Sequence, residues 1–168
     1  WEKPKSIGAV RYRVGLVMQY PEYQLFEDTV IEDISFGPKN MGLEPDEIKK
    51  RVLEACELVG LDIDMLQKSP FDLSGGEKRR VAIAGVMAME PKILILDEPT
   101  AGLDPRGRDV ILDLIRNYRE ETGRTVMIVS HSMDDVAAIA TQVLVINNAR
   151  VALYGTVPEI YARSEELV

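Results

Sequence analysis

The sequence predicts an α/β fold in which a parallel-sheet core is interrupted by a helical subdomain. Two apolar runs, Lys92-Ile93-Leu94-Ile95-Leu96 and Thr125-Val126-Met127-Ile128-Val129, show no alternation and are bounded by turn signals. That is the pattern of central parallel strands covered on both faces. Between them lies a segment of helical periodicity, so the three together read as a strand-helix-strand crossover, right-handed by the usual rule. Upstream, the chain from Pro21 to Pro70 changes character and carries apolar residues at helical rather than strand spacing. Three blocks follow: residues 1–20 as the end of a first part of the core, 21–90 as the helical subdomain, and 91–168 as the second part of the core.

Taken in order, Val14-Gly15-Leu16-Val17-Met18 is a short apolar run that ends at Gln19 and Tyr20-Pro21, a buried strand running into a loop. Glu44-Pro45-Asp46-Glu47 opens a helix with Ile48, Val52, Ala55, Cys56 and Val59 on one face, and Gly60 stands where the chain leaves it. Ser74 and Glu77 form an S-x-x-E capping box ahead of an apolar run from Val81 to Met89, which starts another helix. Asp104-Pro105 supplies an N-cap with proline at N1. Val110, Ile111, Leu114, Ile115 and Tyr118 then form the inward face of the crossover helix up to Gly123. Val143-Leu144-Val145-Ile146, Asn147-Asn148 and Val151-Ala152-Leu153-Tyr154 predict a hairpin, and Thr156-Val157-Pro158-Glu159 caps a last helix.

At 168 residues and 46% hydrophobic content the chain buries one sizeable core and is too short for two large ones. Its 20 basic and 28 acidic residues leave a net charge of -8, without the basic surplus that phosphate-backbone binding requires, so nucleic acid is not an expected partner. No apolar run reaches the roughly 20 residues needed to cross a bilayer. The single cysteine, Cys56, makes no internal disulfide and reads as a buried inert thiol on a helix face. A soluble chain in a reducing compartment is expected.

Five places are candidates for chemistry. Asp97 and Glu98 sit at the carboxyl end of the strand Ile93 to Leu96, where open α/β sheets place their ligands. Two adjacent carboxylates there divide labour: one holds Mg²⁺, the other polarises an attacking water. The plain alternative is a strand that ends in solvent-facing acids. His131, the only histidine, follows a second strand end and is placed to contact a γ-phosphate or orient water; a satisfied or surface imidazole is the bland alternative. Leu73-Ser74-Gly75-Gly76-Glu77 is the sharpest feature. A capping box explains Ser74 and Glu77, but two glycines in a first helical turn cost about 1 kcal/mol each relative to alanine. A helix start stripped of side chains presents bare N–H groups and a positive dipole end, which is what a phosphate needs. Gln19 closes a strand and opens a loop, where an amide oxygen can ligate Mg²⁺ and move with the loop, but taken by itself it carries no signal. Asp104 reads equally well as a plain N-cap.

Together and in order, Gln19, Leu73-Ser74-Gly75-Gly76-Glu77, Ile93-Leu94-Ile95-Leu96-Asp97-Glu98, Ala101-Gly102-Leu103-Asp104 and His131 resemble the ATP-binding cassette (ABC) ATPases, as Q-loop, signature, Walker B, D-loop and switch histidine. The resemblance implies a P-loop NTPase (RecA-like) core with an inserted helical subdomain. It makes Asp97 and Gln19 the Mg²⁺ ligands, Glu98 the general base and His131 the γ-phosphate switch. Ser74, Gly75, Gly76 and Glu77, with Asp104, would serve the ATP held by the opposite subunit of a head-to-tail dimer. Gln19-Tyr20-Pro21-Glu22-Tyr23-Gln24-Leu25-Phe26 and Phe36-Gly37-Pro38-Lys39-Asn40 further resemble the ATPase subunits of energy-coupling factor (ECF) importers of vitamins and metal ions, with the second of the paired ATPases favoured.

By that resemblance the chain would power a membrane importer from the cytoplasmic face of the membrane. Its partners would be a second ABC ATPase in a homo- or heterodimer, an integral membrane coupling subunit and a substrate-binding membrane subunit. The family docks its membrane subunit on the helical region after the Q-loop. One departure stands out: no G-x-x-x-x-G-K-[ST] occurs in the sequence, and the family places that phosphate-cradling loop upstream of Gln19. The expectation is a chain lacking the N-terminal part of the core, with MgATP affinity on its own in the millimolar range or worse, about -4 kcal/mol. The alternatives are a non-transport ABC ATPase and a nucleotide-free interaction fragment.

Overall fold

The computed structural model describes residues 10–163, which fall into two compact units divided between Val129 and Ser130. In the first unit three short strands, β1 (Val14–Val17), β2 (Ile93–Asp97) and β3 (Thr125–Val129), form a parallel sheet in the order β1-β2-β3. Val17 pairs with Leu96 and Asp97 with Val129, so the carboxyl ends of all three strands lie at one edge.

The helical segment between β1 and β2 comprises a 3₁₀ turn (Pro21–Gln24), α1 (Val30–Asn40), α2 (Pro45–Leu58) and α3 (Gly75–Met87). Thr29 caps α1, accepting from the amide of Glu32, and Pro38 lies in its last turn. Glu44-Pro45 starts α2, and Gly60 leaves it at φ 64°, a left-handed exit that glycine makes without strain. Val52, Ala55, Cys56 and Val59 are buried on its inner face. Burial pushes the Cys56 thiol up to about 11, so it is an inert core group. Helix α3 is the hub, packing against α1, α2 and β1. Its approach to α1 is close: a methyl at Gly85 would stand 3.6 Å from the carbonyl oxygen of Asp33.

Between β2 and β3 runs α4 (Pro105–Thr122), capped by Asp104 and closed by Gly123 at φ 62°. Ile111, Leu112, Leu114, Ile115 and Tyr118 are buried. Val110, expected on that inner face, is 42% exposed instead, while Leu112 takes a place inside. The stripe is rotated relative to the simple 3.6-residue reading.

The expectation of strands covered on both faces is also corrected. Along β3 exposed and half-buried residues alternate, and Leu16, Ile93, Met127 and Val129 stand between 37% and 53% exposed. Among the described residues only one face of this sheet is packed, by α3 and α4. Among the described strands β2 is central, whereas β3 lies at the edge.

In the second unit Ser132 caps the short helix α5 (Met133–Ile139), accepting from the amide of Asp135. The predicted hairpin forms from β4 (Gln142–Asn147) and β5 (Arg150–Thr156), antiparallel, with Asn147 opposite Arg150. Its two-residue turn is Asn148-Ala149, both at positive φ, one residue later than the Asn147-Asn148 signal suggests. Helix α6 (Val157–Ala162) follows directly, and Leu153 and Ile160 make the unit's buried apolar pair.

Candidate functional site

Strand pairing brings three of the predicted residues to one edge. Gln19 lies two residues past the end of β1, Asp97 ends β2 in a last rung with Val129, and Glu98 follows directly. Asp97 and Glu98 are half-buried and Gln19 is exposed. The chain turns sharply at Glu98, at φ 46°, a left-handed conformation that a non-glycine residue adopts at a cost of order 1–3 kcal/mol. Two backbone bonds hold that turn: the Glu98 amide donates to Val129 O at 2.9 Å, and its carbonyl accepts from the Ala101 amide at 3.0 Å. Backbone strain at the second carboxylate, absent at the first, distinguishes this strand end from one that merely dissolves into acidic solvent-facing residues.

The glycine-bearing helix start of α3 is open. Ser74 and Glu77 form the reciprocal box: the Glu77 Oε2 accepts from the Ser74 amide at 2.8 Å and from its hydroxyl at 2.6 Å, while the Glu77 amide donates back to Ser74 Oγ at 3.4 Å. Ser74's hydroxyl and amide bonds hold the Glu77 carboxyl below its ordinary value. A methyl at Gly75 would meet nothing within 4 Å, and at Gly76 only the end of Arg80, at 4.0 Å. Packing within the chain does not require either glycine. Gly76, Arg80, Asp104 and Arg106 share a cavity of about 230 Å³ between the starts of α3 and α4.

Asp104 behaves as the plain reading has it: its Oδ1 accepts from the Gly107 amide at 3.0 Å, an N-cap that leaves no room for a side chain at Gly107. His131 belongs to the second unit, two residues past β3.

The sequence reading missed the residue that joins these parts. Arg79 is only 2% exposed, and its guanidinium is fully engaged. Nε and Nη2 grip the Glu22 carboxylate at 3.0 and 2.8 Å, and Nη1 donates to the carbonyls of Pro99 and Ala101 at 3.2 and 2.9 Å. The Tyr20 ring lies 5.9 Å from its central carbon. Burial raises the Glu22 carboxyl, but the hydrogen bonds and charge of Arg79 outweigh that and hold it below its ordinary value. The available signal was an arginine one turn into a helix whose neighbours Val81, Ile83 and Ala84 are core residues.

A second cavity, of about 570 Å³, opens between the loop after β1 and helices α1 and α3, lined among others by Arg11, Tyr12, Phe26, Phe36 and Met89. Phe26 and Phe36 meet edge to face at 4.9 Å between ring centres and are 57% and 44% exposed. Asp33 at its margin accepts from the amides of Phe26 and Glu27, both at 3.3 Å; burial raises its carboxyl above the ordinary value.

Among the described residues no group of three or more acidic, histidine or cysteine side chains is arranged to hold a metal by itself. The donor set at the sheet edge, one carboxylate and one amide, nevertheless suits Mg²⁺, which takes one or two protein ligands and completes its shell with phosphates and water. No helix among the described residues is long and apolar enough to cross a membrane.

Comparison with known proteins places this geometry. The chain is 56% identical over 167 residues to the energy-coupling factor transporter ATP-binding protein EcfA2 of Clostridium perfringens, covering 99% of this chain and 59% of the relative. It is 57% identical to EcfA2 of Symbiobacterium thermophilum, over 99% of this chain and 57% of that protein. The chain thus spans under three-fifths of the length of these curated relatives. Among solved structures, cbiO1 of Clostridium perfringens, part of the ABC transporter complex cbiONQ, superposes with a TM-score of 0.87 at 44% identity, covering 98% of this chain and 65% of that one. A dimeric ATP-binding cassette in a post-hydrolysis state, bound to ADP and phosphate, superposes with a TM-score of 0.74 at 26% identity over 92% of this chain and 68% of that one. The ABC transporter family profile matches residues 2–101, the stretch that holds Gln19, the glycine-bearing helix start and the two carboxylates, and the chain belongs to the ABC transporter family.

Proposed function

We propose that this chain is part of an ATPase that powers a membrane importer of the ECF type, working as a head-to-tail dimer. The observation that carries the reading is 56% identity to an ECF ATP-binding protein across nearly the whole chain. The convergence of Gln19, Asp97 and Glu98 at one sheet edge supports it.

Glu98 acts as general base, its carboxylate polarising the attacking water. Asp97 and Gln19 hold Mg²⁺, which when bound neutralises charge on the phosphates. His131 contacts the γ-phosphate. The exposed amides at Gly75 and Gly76 serve the nucleotide of the opposite subunit. For Ser74 to join them its hydroxyl has to leave Glu77, which now accepts its hydrogen bond. The cavity floored by Phe26 and Phe36 receives the membrane coupling subunit, and residues 21–90 form the helical subdomain that presents it, at the cytoplasmic face of the membrane.

The test is ATP turnover in a form of the protein that carries a phosphate-binding loop. Glu98→Gln is expected to retain ATP binding and lose about 10²–10⁴ in kcat. Unchanged hydrolysis would remove Glu98 from the mechanism, and tight MgATP binding by the present 168 residues alone would contradict the need for that loop.

A further inference from the structure

We propose that Arg79 is a positioning residue that ties the loop after Gln19 to the turn that carries Glu98, so that movement of one is felt by the other; this rests on the ATPase reading above. Three segments far apart in sequence meet on one guanidinium. Glu22 belongs to the loop after β1, Arg79 to α3, and Pro99 and Ala101 to the turn after β2.

An arginine this deeply buried is hard to justify as packing, since an apolar residue of similar volume commonly serves the core as well or better. Its value lies in its shape: a planar fork with five donors satisfies a carboxylate and two carbonyls at once, which a lysine cannot do. The linkage to Glu98 is short. The Ala101 carbonyl accepts from Arg79, and the Ala101 amide closes the turn onto the Glu98 carbonyl at 3.0 Å. That turn holds Glu98 in its left-handed conformation. On the other side the grip on Glu22 fixes the chain three residues after Gln19.

A second contact runs in parallel. Tyr20, itself left-handed at φ 56°, lays its ring where a methyl on Gly102 would be only 3.4 Å from its Cε1, and Gly102 has φ 74°. Ring and guanidinium therefore connect the same two segments, and Gly102 leads into the stretch that ends at Asp104.

The experiment compares wild type, Arg79→Lys and Glu22→Gln in the full-length, assembled ATPase. It reads kcat and KM for ATP together with hydrogen exchange at the Ala101 amide. Arg79→Lys keeps the charge but cannot span both sides. Glu22→Gln keeps the shape and one acceptor, and it lies outside the turn whose exchange is read. Both variants are expected to lower kcat roughly ten- to hundredfold by misplacing Glu98, with little change in KM, and to speed exchange at Ala101. A fall in thermal stability with kcat unchanged would overturn the proposal and leave Arg79 a structural staple. If wild type itself turned over no ATP, the ATPase reading would fall. The exchange measurement would still decide the linkage, because an Ala101 amide unaffected by Glu22→Gln overturns it.

Discussion

Two helices of this protein start with the same four-residue grammar and differ in what fills it. At α3 the box is Ser74-Gly75-Gly76-Glu77; at α6 it is Thr156-Val157-Pro158-Glu159. In both, the glutamate Oε2 accepts from the N-cap amide at 2.8 Å and from the N-cap hydroxyl, at 2.6 and 2.8 Å respectively. The glutamate half of the box is the same in both, and at α3 the Glu77 amide also donates back to Ser74 Oγ. Between them, α6 uses a valine and a proline, the latter suited to a first turn that has no partner for its amides. Helix α3 uses two glycines that neither a close contact nor a positive φ demands. The cap is thus explained by folding and the glycines are not, which is why the proposed function rests on the glycines rather than on the box.

The largest break in the comparison comes from filling the glycine pair. Gly75→Ala with Gly76→Ala is expected to raise thermal stability by about 1–2 kcal/mol in sum, because alanine is the better helix former and nothing stands in the way. In the assembled ATPase the same pair is expected to slow turnover, because in the proposed head-to-tail dimer the added methyls would stand between these amides and the opposite subunit's phosphates. Thermal unfolding and steady-state hydrolysis of the double variant check both signs; greater stability with undiminished turnover would make the glycines incidental.

A smaller effect sharpens the shared part. Ser74→Ala should cost about 1 kcal/mol, the usual loss of a side-chain N-cap, and Thr156→Ala less, because the Ser74 hydroxyl accepts from a helix amide and the Thr156 hydroxyl does not. Denaturant titration of the two variants reads this directly, and a Thr156 loss equal to the Ser74 loss would overturn that distinction.

The smallest effect is a pH dependence common to both boxes. Glu77 is held below its ordinary value by the Ser74 hydroxyl and amide, and Glu159 by the Thr156 amide and hydroxyl. A depressed carboxylate pKa contributes stability that is complete above the unfolded value, about 4.3, and is lost as pH falls through the lower folded value. The stability difference between wild type and Glu77→Gln is therefore expected to be present at pH 7 and to disappear in acid. A difference that persisted undiminished as the pH was lowered until the folded carboxylate was protonated would mean the box works through shape rather than charge.

By itself the sequence determined the elements whose causes are local. The capping boxes at Ser74 and Thr156, the Asp104 N-cap with Pro105 and the left-handed exits at Gly60 and Gly123 all depend on residues within a few positions of one another and are where local chemistry puts them, and the hairpin forms with its turn one residue past its signal, at Asn148-Ala149. The ordered motifs from Gln19 to His131 also sufficed for the family. Tertiary structure alone decided what depends on distant partners. Periodicity cannot tell which face of an apolar strand is packed, so the exposed Leu16, Met127 and Val129, like the outward Val110, were not legible. Nor does spacing reveal that Arg79 pairs with Glu22, 57 residues away, or that the pair closes on the carbonyls beside Glu98. A buried charge is stable only where the fold supplies enough acceptors, and those are assembled by packing rather than by sequence neighbours.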